Sequence, residues 1–321
     1  MRFDILDPQH NLPWLVKAET PAESSLDGLH AWFDENRDLV EDRLLEHGAI
    51  LFRGFGVSET DTFERFVRLA GGAPLDYVDG TTPRKKLGDG VYTSTEFPAR
   101  YPISMHNELS YSERWPLRLF FCCAIPPGSG GETPLADSRA ILKSLDPAVA
   151  GEFERRQVRY IRNLHGGKGF GLSWQAAFET DDRAKVEEIV RGGSAEIEWT
   201  DQGGLRLSHV RPAVATHPRT GERVWFNQAE QFHPSAQARE VYQSMMMIYK
   251  GREDLLPQNA CFGDGTPIPT EMLEEVRRTY ERERVIFPWQ AGDLVMIDNV
   301  LACHGRMPYA GPRKILAAMT A

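Results

Sequence analysis

SMHNELSY, residues 104–111, sets a histidine and a glutamate two positions apart in the company of Met105, Leu109 and Tyr111. A carboxylate in so apolar a stretch is costly to bury unless a charge or a metal partners it. In an extended strand, residues i and i+2 point to the same face. The spacing therefore predicts that His106 and Glu108 project together, with Asn107 turned to the other side. One imidazole and one carboxylate on one face are two thirds of a facial metal triad.

The chain has nine histidines, and those other than His106 are candidates for the third ligand. His304 stands out. It follows GDLVMIDNVLAC, which reads as a strand and a turn, and precedes GRMPYAGPRKILAAM, which reads as another apolar strand. In a closed double sheet, a ligand at such a strand end comes back beside the strand of His106. Two histidines and one carboxylate leave three positions open on an octahedral metal, the geometry of non-heme Fe(II) oxygenases. His209, His217 and His233 read as structural or exposed. His165 lies in NLHGGKGFG, a flexible loop without the spacing of a phosphate-binding motif. Asn227 and Gln228 end the strand-like RVWFNQ and are candidates for the wall of the pocket, with Asn107 as a further candidate beside the ligands.

Outward from this stretch, residues 24–47 carry Leu26, Leu29, Phe33, Val40 and Leu44 at helical spacing, with Ser24 or Ser25 as N-cap and Gly48 as the stop. AILFRGF (49–55) reads as a short buried strand. SETDTFERFVRLAGG starts with a capping-box pattern and stops at Gly71-Gly72, a second helix. Residues 74–103 form a long loop rich in Gly, Pro, Thr and charge, of the kind that lies over a site. LRLFFCCAI (117–125) is a strand, residues 141–156 are helical around Pro147, and QVRYIRNL (157–164) alternates as a strand. A short charged helix over 181–192, several short strands and two more helical stretches lead to a closing run of three strands. Many short strands with helical insertions predict a mostly β fold with α, a jelly-roll or barrel-like sheet wrapped by helices. No linker-like stretch divides the chain, which reads as a single domain over 1–321.

The 321 residues include 37 basic and 46 acidic side chains, a formal charge of −9, and 41% are hydrophobic. That is globular composition, and the acidic balance gives no footprint for nucleic acid or for anionic membranes. No apolar run has the length of a membrane span. With no signal pattern at the start, the expected location is cytoplasmic. Cys122, Cys123, Cys261 and Cys303 have neither disulfide-framework nor zinc spacing and read as reduced core thiols. GGSAE (192–196) lacks the second glycine of a serine-hydrolase elbow.

His106-x-Glu108 with the distal His304 resembles the Fe(II)/2-oxoglutarate-dependent dioxygenases of the TauD/TfdA superfamily. HNELSYSERWPLRLFFCC, GGETPLADSR, HPRTGERVWFNQ and DNVLACHGRMPYAGPRK look most like its SyrP-like branch, found in nonribosomal peptide (antibiotic) biosynthesis. The chain departs from the common HxD pattern in having Glu108, as clavaminate synthase-like and SyrP-like members do. The resemblance implies a double-stranded β-helix core. It also implies Fe(II) held by His106, Glu108 and His304, with 2-oxoglutarate and O2 as co-substrates. Arg313, nine positions beyond His304, stands where the family places the arginine for the distal carboxylate of 2-oxoglutarate, and Thr133 of GGET fits the matching hydroxyl. A guanidinium is a planar, permanent cation suited to a carboxylate. Arg306 is a second cation near the metal, for the other carboxylate of 2-oxoglutarate, for a substrate acid, or for a salt bridge with an acid such as Asp298. Asp298 itself reads as a turn cap. The reaction implied is decarboxylation of 2-oxoglutarate to succinate and CO2, with hydroxylation of an unactivated C–H bond. The substrate implied is an amino acid, free or tethered to a peptidyl carrier protein. Halogenation is disfavoured because Glu108 fills the position a halide would need. Desaturation or cyclisation of a small acid, and a non-catalytic metal-binding relative of the same fold, are the alternatives, and homo-oligomerisation is left open.

Overall fold

The computed structural model describes residues 1–82, 84–94, 97–191 and 195–321; the loop residues 83, 95 and 96 and most of the GGSAE stretch lie outside them. Seven strands make the larger sheet, in the spatial order Arg2–Asp7, Leu12–Lys17, Ala49–Arg53, Leu294–Asp298, Arg118–Ile125, Lys314–Thr320 and Val91–Thr93. Leu12–Lys17 and Ala49–Arg53 run parallel, and the other neighbours run antiparallel.

The central strands are apolar on both faces, and the structure shows why. Ile50, Phe52, Phe120, Cys122, Leu294, Met296, Leu316 and Ala318 join a core with Leu29, Phe33, Leu44, Phe63 and Phe66 of the N-terminal helices. Their neighbours Leu51, Leu119, Phe121, Cys123, Val295, Ile297, Ile315 and Ala317 join a second core on the opposite face. A period of two with both faces covered leaves no polar alternation to read. Cys122 and Cys123 thus pack on opposite sides of one strand. All four cysteines are free thiols, and burial pushes Cys123 up to about 12.

The second core ends on a smaller sheet of three strands, Ile103–His106, Ala302–Arg306 and Leu135–Asp137, whose Leu135 and Ala302 it includes. These two sheets are the core of the jelly roll, and they do not close into a barrel. Helices Ser138–Ser144, Pro147–Arg156 and Thr270–Glu283 cover the far side of the smaller sheet, together with a four-stranded sheet of Glu196–Trp199, Leu205–Arg211, Val158–Leu164 and Gln258–Phe262. The mostly β architecture wrapped by helices is therefore as expected. Among the described residues, no helix is long and apolar enough to cross a membrane.

Three local expectations change. The helix over 24–47 is two, Leu26–Glu35 and Arg37–His47, with Ser25 as its N-cap and Gly48 as its stop. Asn36 divides them: its Nδ2 donates to the carbonyl of Trp32 at 2.8 Å, a side chain competing for the helix's own acceptor. The next helix, Thr60–Gly71, has Glu59 at its N-cap without a side-chain cap bond, so the capping-box pattern is unused. The closing run holds a fourth, short strand, Tyr309–Ala310, between Ala302–Arg306 and Lys314–Thr320.

Candidate active site

The smaller sheet brings the two histidines together. His106, the last residue of Ile103–His106, is the direct cross-strand partner of His304 in Ala302–Arg306, and their ring centroids are 4.4 Å apart. The close approach depends on Gly305. A Cβ there would stand 2.7 Å from the carbonyl oxygen of Ile103. Nδ1 of His106 lies 2.8 Å from the carbonyl of Ser104, which fixes it as the N–H tautomer and leaves the Nε2 lone pair for a ligand. The ring of His304 packs 5.0 Å from that of Phe121.

Glu108 reaches the same place, though not through strand periodicity. The strand ends at His106, Glu108 lies in a turn, and Leu109 takes a positive φ of 56°. The turn is held by two buried asparagines. Asn299 pairs with the backbone of Glu108 in both directions, accepting from its N–H at 2.7 Å and donating to its carbonyl at 3.0 Å. Asn107 points away from the ligands, and its Nδ2 donates to the carbonyls of Asn299 at 2.7 Å and Ala302 at 3.3 Å. Gln228 donates to the carbonyl of Asn107 at 2.7 Å, and Asn227 donates to that of Ala213 at 2.9 Å. These three amides are buried scaffold behind the ligands and do not line the cleft.

His106, Glu108 and His304 offer three ligand atoms within 4.8 Å of one another, all buried. Glu108 Oε2 is 4.0 Å from Nε2 of each histidine. Burial lowers both imidazoles, His304 further because His106 and the Arg84 cation stand beside it, so both are neutral donors near neutral pH. Burial would raise Glu108, but Arg84 and His106, with hydrogen bonds from Arg84 and Tyr77, outweigh it and hold the carboxyl below its ordinary value. Two neutral imidazoles and one ionised carboxylate fit a divalent transition metal.

The ligand histidines open onto a narrow cleft that Arg84, Ser94, Phe121, Thr133, Arg306 and Arg313 also line. Arg313 donates to the carbonyl of Gly131 at 2.9 Å and to Ser94 Oγ at 3.1 Å. Among the described residues it has no carboxylate within ion-pair distance, and burial with Arg306 nearby brings it down to about 10. Thr133 is buried beside it. Arg306 lines the cleft too, but its fork donates to the carbonyls of Phe97, Pro98 and Tyr101, each at 2.9 Å, and so ties down the segment over the site. Asp298 is no partner of Arg306. It accepts from the N–H groups of Val300 and Leu301 and faces His217, capping the turn as expected.

Sequence reasoning missed Arg84, Tyr77, Ser94, Asn299 and Gly305 as functional residues. Arg84 Nη2 donates to Glu108 Oε2 at 2.7 Å, and Tyr77 donates to Oε1 at 3.3 Å. Both sit in the loop read as lying over a site, where TTPRKK offers three cations and no pattern to choose among them. Asn299 and Gly305 stand within DNVLACHGR, a stretch whose spacing was used only for its histidine and arginine.

The model of the family "Taurine catabolism dioxygenase TauD, TfdA family" matches residues 9–320. The dapdiamide synthesis protein DdaC of Enterobacter agglomerans is 37% identical over 280 residues, 87% of this chain and 84% of that protein. A clavaminate synthase-like protein of Arabidopsis thaliana is 33% identical over 291 residues, 87% of this chain and 83% of its own. Among solved structures, PvcB, an Fe, alpha-ketoglutarate dependent oxygenase from an isonitrile synthetic pathway, shares the fold. Its TM-score is 0.56 and its identity 18%, over 99% of this chain and 90% of that one. AAD-2 in complex with Mn(II) and N-oxalylglycine does so with a TM-score of 0.56 and 15% identity, over 100% of this chain and 96% of that one.

Proposed function

The chain belongs to the TauD/TfdA family of Fe(II)- and 2-oxoglutarate-dependent dioxygenases, and from that premise we propose that it hydroxylates an unactivated C–H bond of an amino acid in natural-product biosynthesis, the whole chain acting as one unit. The observation that carries the reading is the placement of Arg313, a half-buried cation with no carboxylate within ion-pair distance among the described residues, in the cleft that His106 and His304 of the ligand cluster line. When bound, iron with 2-oxoglutarate and O2 supplies the oxidation: 2-oxoglutarate gives succinate and CO2, and one oxygen atom enters the substrate C–H bond.

This chain's own residues do the rest. His106, Glu108 and His304 would hold the metal, and the two histidines border the cleft where the co-substrate would bind. Arg313 and Thr133 bind the distal carboxylate of 2-oxoglutarate, with Ser94 fixing the guanidinium. Arg306 keeps residues 97–101 against the strand that bears His304, which limits water at the reacting atoms. The positive character of the cleft border, with Arg313 holding no carboxylate among the described residues, suits the dianionic co-substrate. The resemblance to a dapdiamide synthesis protein supports the biosynthetic setting.

The test begins anaerobically. Fe(II) and 2-oxoglutarate added to the metal-free protein should give the weak visible charge-transfer band of the chelate, and His304→Ala should not. Free and carrier-loaded amino acids are then screened for a product heavier by one oxygen. Turnover with a sulfonate or an aryloxyacid in place of every amino acid would refute the substrate assignment.

A further inference from the structure

Arg84 is a buried cation whose counter-ion is one of the proposed metal ligands. Its Nη2 donates at 2.7 Å to Oε2 of Glu108, the oxygen that stands 4.0 Å from Nε2 of both His106 and His304. The guanidinium lies over the ring of Tyr77, 4.0 Å from its centroid, and borders the cleft together with the two histidines. Among the described residues its Nε has no hydrogen-bond partner. The backbone nearby is fixed, because the buried Arg162 donates to the carbonyl of Gly80 at 2.7 Å and pairs with Asp79, whose carbonyl also accepts from Tyr111.

A divalent ion held by the two Nε2 atoms and Oε2 would share one carboxylate oxygen with a guanidinium. In a buried site, two cations over a single carboxylate repel strongly. Without either cation, the carboxylate would be buried and unpaired.

We propose that Arg84 is a built-in counter-ion for Glu108 in the metal-free protein, and that it competes with the incoming metal for Oε2. The inference rests on His106, Glu108 and His304 being the ligands. It differs in sign from a purely orienting role, in which a second residue bonded to a ligand strengthens metal binding. Arg84 keeps the site folded and paired before loading, and it lowers the affinity with which the site takes a divalent ion.

Mn(II) alone, without 2-oxoglutarate, is the probe, followed by the loss of the free-ion magnetic resonance signal. Arg84→Met is expected to bind Mn(II) roughly tenfold or more tightly than the wild type, while its metal-free form melts at a lower temperature. Arg84→Lys, which keeps the charge, should stay near the wild type. In Arg84→Ala, added methylguanidinium should weaken Mn(II) binding competitively. Should Arg84→Met not fold without metal, Arg84→Gln removes the charge but keeps a donor for Oε2 and reads the same ordering. Unchanged or weaker Mn(II) binding in the uncharged variants, or methylguanidinium that strengthens it, overturns the competition and leaves the ligand assignment standing. Wild-type protein that binds no Mn(II), or binds it equally after His304→Ala, overturns the ligand assignment and this inference with it.

Discussion

His106 and His304 are direct partners across two antiparallel strands, and that pairing sets two proposed metal ligands side by side without help from a loop. Cross-strand neighbours are the closest side chains a sheet offers, and the ring of His304 lies against Phe121 of the larger sheet. The third ligand comes from the turn that follows at once, clamped by Asn299 from the turn that precedes the strand of His304. The two halves of the site thus hold each other in place.

His304→Ala should abolish binding of Fe(II) or Mn(II) and leave the fold standing. Among the described residues the ring makes no hydrogen bond through Nδ1, so the loss is packing against Phe121, on the order of 1–2 kcal/mol. Metal titration and a thermal melt of the same sample check both halves. A variant that still takes up one equivalent of metal would remove His304 from the ligand set.

Arg313→Ala should weaken 2-oxoglutarate binding while metal binding persists. Truncating one partner of a buried charge pair costs roughly 2–5 kcal/mol, so a loss of at least ~30-fold is expected. Arg313→Lys keeps the charge but not the fork that reaches Gly131 and Ser94, and it should fall between the two. Titrating the anaerobic Fe(II) protein with 2-oxoglutarate reads the affinity. An unchanged value would place the distal carboxylate elsewhere.

The sequence was most legible where residue type and spacing meet a chemical need. His106, Glu108 and His304 do converge, and Arg313 and Thr133 do line one cleft, because few patterns combine such groups. The route to Glu108 was misread as strand periodicity, since nothing in HNEL announces that the strand stops at His106 and that Leu109 turns with positive φ. Arg84 was invisible for a different reason. An arginine in a polar loop reads as solvated, and only the fold shows it buried against Glu108 and Tyr77. Asn227 and Gln228 look like pocket residues at a strand end, yet their amides serve backbone carbonyls behind the site.

Acid should destabilise the metal-free protein. Burial sets His106 and His304 below the ordinary imidazole value of 6.5, so the unfolded chain takes up protons before the folded one does. Stability then falls as pH drops below that value, down to the lowered folded values. Glu108, held below its ordinary 4.5, adds a loss of the same sign at lower pH. Urea midpoints of the metal-free protein should drop from about pH 7 to about pH 5, with a shallower fall in His304→Ala. A midpoint that stays level or rises on acidification would contradict the burial of neutral imidazoles.

Asn299→Ala should lower both stability and metal affinity. The side chain bonds the N–H and the carbonyl of Glu108 and the carbonyl of Pro116, all in buried surroundings. Orphaning such groups costs about 1–3 kcal/mol each before relaxation, and freeing the ligand's backbone should cost about 10–100-fold in metal affinity. Mn(II) titration beside a urea melt separates the two effects. A less stable protein with full affinity would show that Asn107 alone holds the turn.

Gly305→Ala isolates the strand approach itself. A Cβ at this position would stand 2.7 Å from the carbonyl oxygen of Ile103 and 3.2 Å from the sulfur of Met105, so the strands of His304 and His106 must move apart. Overpacking of this kind costs about 1–3 kcal/mol. The movement falls beside the irregular register between His304 and Arg306, next to the ligand itself. Metal affinity should therefore fall by roughly tenfold or more, because ligand geometry tolerates less displacement than packing does. Gly263→Ala is the control. Its Cβ would meet the carbonyl of Arg156 at 2.6 Å, in a turn remote from the cleft. Both variants should melt lower, but only Gly305→Ala should lose Mn(II) affinity. Equal affinities in the two would mean that the histidine spacing is set by something other than how closely these strands approach.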